Sequence, residues 1–165
     1  MKKKITYILI FLALVLAVAG CGKENERATP TAQIGNPWSQ WTSIAETENA
    51  TGFSFELPEV VGEKYVADVF RTMNGELIEV VYRFEDYEVC VRKSLGEGQD
   101  ISGDYNSYEI CTEERYNGIA ITRYHNSASS ATRLTLSYQG FSWSLVAPNG
   151  FGTDSHKLFL KEILK

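Results

Sequence analysis

The residues with chemical reach are few: Cys21, Cys90 and Cys111, the run Asp100, Ser102, Asp104 and Asn106 with Tyr105 inside it, and two histidines, His125 and His156. Cys21 follows Val18-Ala19-Gly20, small residues that fit a signal peptidase. A thiol at that point can accept diacylglycerol and become the N-terminus of the processed chain. Cys90 alternates with Glu88 and Arg92, and Cys111 with Glu109 and Glu113, which places both thiols on the polar face of strands. If those strands are antiparallel neighbours, Cys90 meets Cys111, Val91 meets Ile110 and Arg92 meets Glu109. An oxidising compartment would then close a disulfide worth roughly 3 kcal/mol in the chain-entropy model. Two separate thiols are the alternative. Zinc is disfavoured, because two cysteines on flat strands lack further ligands.

Asp100, Ser102, Asp104 and Asn106 recur at every second position and offer oxygens as a calcium loop does. The EF-hand pattern fails, with Tyr105 where the loop needs glycine and Cys111 where it needs glutamate. The same residue types are ordinary turn formers. Asp100, Ser102, Asp104, Tyr105 and Asn106 are therefore carried forward as a candidate partner or ion loop. It is the tip of the longest irregular segment, Ser94 to Asn106, and long loops on rigid sheets are where function concentrates.

Nucleophilic catalysis requires a base beside the nucleophile. His125 lies in a polar turn with Asn126, Ser127, Ser129 and Ser130, and His156 in the first turn of a helix; both are expected at the surface. There is no Gly-x-Ser-x-Gly elbow, no phosphate-binding glycine loop and no His-x-x-x-His pair. No catalytic residue, metal or cofactor is expected. A hydrolase would need an acid pair such as Asp100 and Asp104 facing a cleft.

The composition belongs to one ordinary domain: 165 residues, 44% apolar, 21 acids against 16 bases. Lys2, Lys3 and Lys4 precede an apolar run from Ile5 to Ala19 broken only by Thr6, the layout of a bacterial secretory leader and too short for a stable span. Residues 1–20 thus read as a lipoprotein signal peptide. Residues 21–35, polar and without aromatics, read as a lipidated flexible tether. Acyl chains such as palmitate on Cys21 would hold a single domain, residues 36–165, at the membrane on its extracytoplasmic face. Loss of the three leader lysines leaves 13 bases against 21 acids, which makes nucleic acid an unsuitable partner.

The elements that must position these residues follow from turns and alternation. Ser43 and Glu46 have capping-box spacing and Gly52 suits the end of a helix from about Ser43 to Thr51. Phe53 to Leu57 alternates like a short edge strand before Pro58. Asn74-Gly75 predicts a two-residue hairpin pairing Met73 with Glu76, Val69 with Val80, Ala67 with Tyr82 and Tyr65 with Phe84. Glu85-Asp86 pairs Phe84 with Tyr87, Tyr82 with Val89 and Val80 with Val91, setting Arg83 against Glu88 and Glu79 against Arg92. Gln139-Gly140 pairs Tyr138 with Phe141, Leu136 with Trp143 and Leu134 with Leu145, leaving Ser137, Thr135, Ser142 and Ser144 toward water. Asn117-Gly118 joins two more strands, with a bulge expected because Glu114 falls near Ile121. Asp154 or Ser155 caps a last helix with an apolar stripe from Leu158 to Leu164. The fold class is α+β: an antiparallel meander of seven or eight strands with one face covered by a short N-terminal and a C-terminal helix.

The succession Asn36-Pro37-Trp38, the Ala45-to-Phe53 helix-to-strand passage ending in Leu57-Pro58-Glu59, Glu79-Val80-Val81-Tyr82, Val91-Arg92-Lys93-Ser94 and Asp100-Ile101-Ser102-Gly103-Asp104-Tyr105-Asn106 resembles clostridial lipoproteins. Those proteins carry the domain of unknown function catalogued as number 4367. The resemblance covers nearly all of residues 36–165, and the last run is its most specific part. It implies extracytoplasmic placement, a mixed α+β domain and a binding or sensing role, with no catalytic residues to carry over. The expectation is a non-enzymatic interaction or sensing module contacting an unknown protein or small molecule. The alternative is a carrier whose apolar or lipid ligand fills a cavity lined by Tyr82, Tyr108, Trp143 and Phe159.

Overall fold

Tight hairpins need left-handed backbone, and the turns supply it: Asn74 and Gly75 (φ 52° and 71°), Glu85 (51°), Asn117 and Gly118 (50° and 83°), Gln139 and Gly140 (53° and 81°). A computed structural model describes residues 36–127, 132–151 and 154–165. The expected leader, Cys21 and the tether over residues 21–35 lie outside the described residues. Asn36–Lys165 forms one compact unit.

Nine strands are described: β1 (Trp38–Trp41), β2 (Val60–Val61), β3 (Tyr65–Met73), β4 (Leu77–Phe84), β5 (Tyr87–Leu95), β6 (Ile110–Tyr116), β7 (Ile119–His125), β8 (Thr132–Tyr138) and β9 (Phe141–Ala147). All pairings between these strands are antiparallel, in the order β1-β3-β4-β5-β9-β8-β7-β6, with β2 also on the outer edge of β3. Helices α1 (Ile44–Thr51) and α2 (Ser155–Ile163) complete the expected α+β class.

The β4–β5 and β8–β9 registers are those the turns demand, with Tyr82 opposite Val89, Arg83 opposite Glu88 and Leu136 opposite Trp143. The β3–β4 hairpin departs from expectation. Glu76 N–H does close a turn onto Met73 O at 3.0 Å, but pairing starts one residue later, Met73 with Leu77, so Phe70 opposes Val80 where Val69 was expected. A bulge at Asp68 then absorbs the slip and restores Ala67 opposite Tyr82. The offset puts Phe70 and Thr72 in the core and lays Arg71 against Glu79. No bulge occurs at β6–β7. Glu114 pairs directly with Ile121, which an edge strand tolerates because its side chains reach water.

Ser43 Oγ caps α1 by accepting from Glu46 N–H at 3.3 Å, and Gly52 ends it at φ 78°. Phe53 to Leu57 is not a strand. Phe55 and Leu57 are buried as the alternation predicts, but Glu56 adopts φ 65° and Phe55 N–H donates to Glu48 Oε1 at 2.7 Å. Lys93, on the core face of β5, explains the detour: its ammonium donates to Ser54 O at 2.6 Å and meets the Glu56 carboxylate at 2.5 Å, beneath the Phe141 ring.

The apolar face of the sheet carries Ile78, Val80, Tyr82, Val89, Val91, Leu134, Trp143 and Leu145, all buried. Helix α2 lays Phe159 on it, edge-on to Tyr65 and Tyr82 at 5.2 and 5.3 Å, as its apolar stripe predicts. Gly62 lets Leu158 approach, since a Cβ there would sit 2.5 Å from Leu158 Cδ1. His156 is a correction: it is buried against Phe151, because the first turn of α2 faces the sheet. Burial and the nearby Arg123 hold its pKa below the ordinary imidazole value.

Candidate functional site: a strap over a polar row

The other face of the sheet was expected to be wet, yet Glu79, Ser142 and Ser144 are at most 1% exposed. Two features account for this. The first is a continuous polar row across the strands, each residue opposite the next: Gln40, Arg71, Glu79, Arg92, Ser144, Thr135, Thr122 and Glu113. The second is the segment from Gly96 to Glu109, which doubles back over that row as a strap between β5 and β6.

The strap is fastened by polar clasps at intervals along it. Gly98 N–H donates to Ser137 Oγ and Gln99 N–H to Ser142 Oγ, at 2.9 and 3.0 Å. Arg92 donates to Ile101 O at 3.1 Å while its other nitrogens hold Glu79 at 2.7 Å. Arg71 approaches the same carboxylate at 2.5 Å, and both guanidinium groups lie within 5.4 Å of the Trp38 ring. Arg133 donates to Asp100 Oδ2, Ser102 Oγ and Asp104 O at 3.3, 3.4 and 3.1 Å, with its guanidinium over the Tyr124 ring. Gly103 leaves room for this arrangement, for at φ 59° a Cβ there would fall 2.0 Å from Arg92 Nη1 and displace the guanidinium.

The every-second-residue pattern of the strap is a chain of side-chain-to-backbone turns. Asp100 accepts from Ser102 N–H, Ser102 Oγ from Asp104 N–H, and Asp104 from Asn106 N–H, at 3.0, 3.2 and 3.1 Å. Burial opposes ionisation of Asp100, but the hydroxyl and N–H of Ser102, then Arg133 and Arg92, outweigh it and hold the carboxyl below its ordinary value. Tyr108 donates to Asp104 Oδ2 at 2.5 Å, and burial followed by that carboxylate pushes its phenol up to about 12. The oxygens of Asp100, Ser102 and Asp104 are thus engaged with the chain itself. Among the described residues no three His, Cys, Asp or Glu side chains converge as a metal-ligand set.

Tyr105 stands apart from these bonds, 98% exposed at the apex of the strap. Beside it runs a groove of about 560 Å³ with Trp38, Met73, Leu77 and Arg92 below and residues 100–105 as its wall. A second groove of about 510 Å³ lies on the other flank, over Ala120, Thr122, Tyr124 and Thr135. Asp100 borders both.

Other expectations fare differently. Cys90 and Cys111 share the polar face, as their alternation indicates, but they form no disulfide: β5 pairs with β9, and β9, β8 and β7 separate it from β6. Tyr108 packs on Tyr124 beneath the strap, whereas Tyr82, Trp143 and Phe159 are packed in the opposite layer, so these four line no common cavity. Asp100 and Asp104 both border the first groove, but Arg133 holds the former and Asn106 and Tyr108 the latter. Arg92, Arg133 and Trp38 were not singled out as site residues. The available signal was the placing of both arginines at polar positions of alternating strands, and of Trp38 at the start of the domain.

No protein-family model matches the chain, and neither does any curated protein or solved structure. The resemblance to clostridial lipoproteins therefore stands on its quoted residues alone.

Proposed function

We propose that the chain is a membrane-anchored lipoprotein on the extracytoplasmic face, held through Cys21 and the tether of residues 21–35, and that its domain is a non-enzymatic recognition or sensing module. The observation that carries the second part is the strap: a polar-clasped ridge that lifts Tyr105 fully into solvent beside one groove and has a second groove on its other flank. A clamped loop of this kind presents a fixed surface, which lowers the ordering cost of binding. The first part rests on the order of basic, apolar and small residues before Cys21. Among the described residues no helix is long and apolar enough to cross a membrane. The attachment proposed is acyl chains, each buried methylene contributing about 0.8 kcal/mol.

Expression of the full chain in a bacterial host fed labelled palmitate tests the anchor. The wild type is expected to carry label and sediment with membranes, and Cys21→Ala to lose the label. Label retained by Cys21→Ala would refute the anchor. For recognition, a pull-down whose partners were unchanged by Asp100→Ala with Asp104→Ala would count against the strap.

A further inference from the structure

We infer that the groove on the Thr122 flank of the strap takes a neutral saccharide, bound through its hydroxyls; the inference rests on the recognition reading above and names its ligand. The groove holds about 510 Å³, within the roughly 300–1,000 Å³ of small-ligand sites. Its floor is the outer part of the polar row. Thr122 lies directly opposite Thr135, with Tyr124 two residues along one strand and Ser137 two along the other. Exposure rises along the row from Ser144, which is fully buried, to the half-buried Thr135 and Thr122.

The hydrogen-bonding capacity of this floor is unspent. The hydroxyls of Thr122, Thr135 and Tyr124 and the side-chain amide of Gln99 make no hydrogen bond among the described residues. Ser144 Oγ, across from Thr135, is buried without a partner in the chain. Ser137 Oγ accepts from Gly98 N–H and keeps its own proton to donate. Hydroxyls and amides both donate and accept, so the ligand that matches them carries groups doing the same. Between them Gly118 and Ala120 present almost no side chain, which leaves a low strip for the C–H face of a sugar ring.

Other ligand classes fit less well. Asp100 is the one charged residue among the described lining residues, and Arg133 compensates it, so a charged ligand finds no counter-charge. A peptide is recognised largely through its main chain. Here β7 and β8 are each paired on both sides, and the Gly98 and Gln99 amides are committed to Ser137 and Ser142.

The test uses the full chain in phosphatidylcholine nanodiscs, read by calorimetric titration and deuterium exchange. The neutral probes are tetrasaccharides of β-linked glucose, α-linked mannose and β-linked N-acetylglucosamine, with their monosaccharides separating a glycan chain from a free sugar. Tetragalacturonate is the anionic control and an uncharged Ser/Asn/Ala decapeptide the peptide control. At least one neutral saccharide is expected to bind with a Kd of about 1 mM or tighter and to slow exchange at residues 98–100 and 117–120, while both controls do neither. Thr122→Val with Thr135→Val should weaken binding by about tenfold at an unchanged urea midpoint. Ala120→Leu, which fills the floor, should weaken it too, and Lys161→Ala, on the exposed side of α2, should leave it unchanged. Binding by none of the neutral probes, equal binding of tetragalacturonate, protection elsewhere, or indifference to the paired threonine variant would overturn the inference. Protection of the groove by the peptide alone would overturn the ligand class while leaving recognition by the strap face intact.

Discussion

Cys90 and Cys111 occupy one cross-strand row on one face of the sheet, with Val146, Arg133 and Tyr124 between them. Four strand spacings of about 4.8 Å put them on the order of 19 Å apart, against a limit of roughly 7 Å between the Cα atoms of a disulfide. Burial, and then the charge of Glu79, push the Cys90 thiol up to about 12, whereas Cys111 is exposed. In the native protein Cys111 should react rapidly with a thiol reagent and the partly exposed Cys90, with its raised pKa, far more slowly. An intact mass lower by two hydrogens, with neither thiol reactive, would contradict the sheet order itself.

Arg133 should be the clasp whose loss is felt most along the strap. It is largely buried and donates to three strap oxygens while covering Tyr124. Arg133→Leu is expected to cost about 1.5–3 kcal/mol in urea unfolding, the range for hydrogen bonds to a charged group. It should also speed amide exchange from Gly98 to Asp104. A loss of stability without faster exchange there would mean that Arg133 stabilises the sheet alone.

Lys93 and Glu56 offer a sharper contrast. The lysine side chain is 2% exposed and the glutamate 38%, so only one end of the pair is deeply desolvated. Lys93→Met should be nearly neutral, within about 1 kcal/mol, because it removes the buried charge and leaves its former partner able to hydrate. Glu56→Gln keeps the buried ammonium but removes its counter-charge and should cost about 1–3 kcal/mol. The reverse order of the two variants in chemical denaturation would show that the pair does not hold the 53–58 segment on the core.

His156 makes stability depend on pH. Its folded-state pKa lies below the ordinary imidazole value of about 6.5, so the unfolded chain binds the extra proton first. Stability should therefore be full at pH 8 and fall as pH drops through about 6.5, levelling off below the folded-state pKa. Glu114 and Asp154 favour the charged ring and moderate the effect, whereas Lys157 opposes the charged ring and adds to it. His156→Phe should flatten the urea midpoint between pH 7.5 and 5.5. A wild-type midpoint that rises on acidification would contradict the buried neutral ring.

What was legible in the sequence was local. Glu85-Asp86 and Gln139-Gly140 carry their registers in two residues, and Ser43 and Gly52 bound a helix by side-chain and backbone chemistry that needs no distant partner. The β3–β4 slip was not legible, since the bulge at Asp68 that corrects it lies six residues from the turn that causes it. Nor was the β5–β9 pairing, because Arg92 opposite Ser144 reads no better than Arg92 opposite Glu109 until the whole sheet is assembled. Ser142 and Ser144 alternate as polar residues whether they meet water or the strap, so a second covered face leaves no mark in the alternation. The strap sequence itself was visible as a candidate; its arginine clasps were not.

The central claim, that the strap face is where this domain meets its partner, is tested most directly by photo-cross-linking in the native host. A benzophenone amino acid would be placed at Tyr105, which is fully exposed, and in a separate strain at Lys161 on the opposite side of the sheet. Position 105 is predicted to give a discrete adduct that disappears with Asp100→Ala and Asp104→Ala, and position 161 to give none. An adduct from 161 with none from 105 would place recognition on the helical face and contradict the claim.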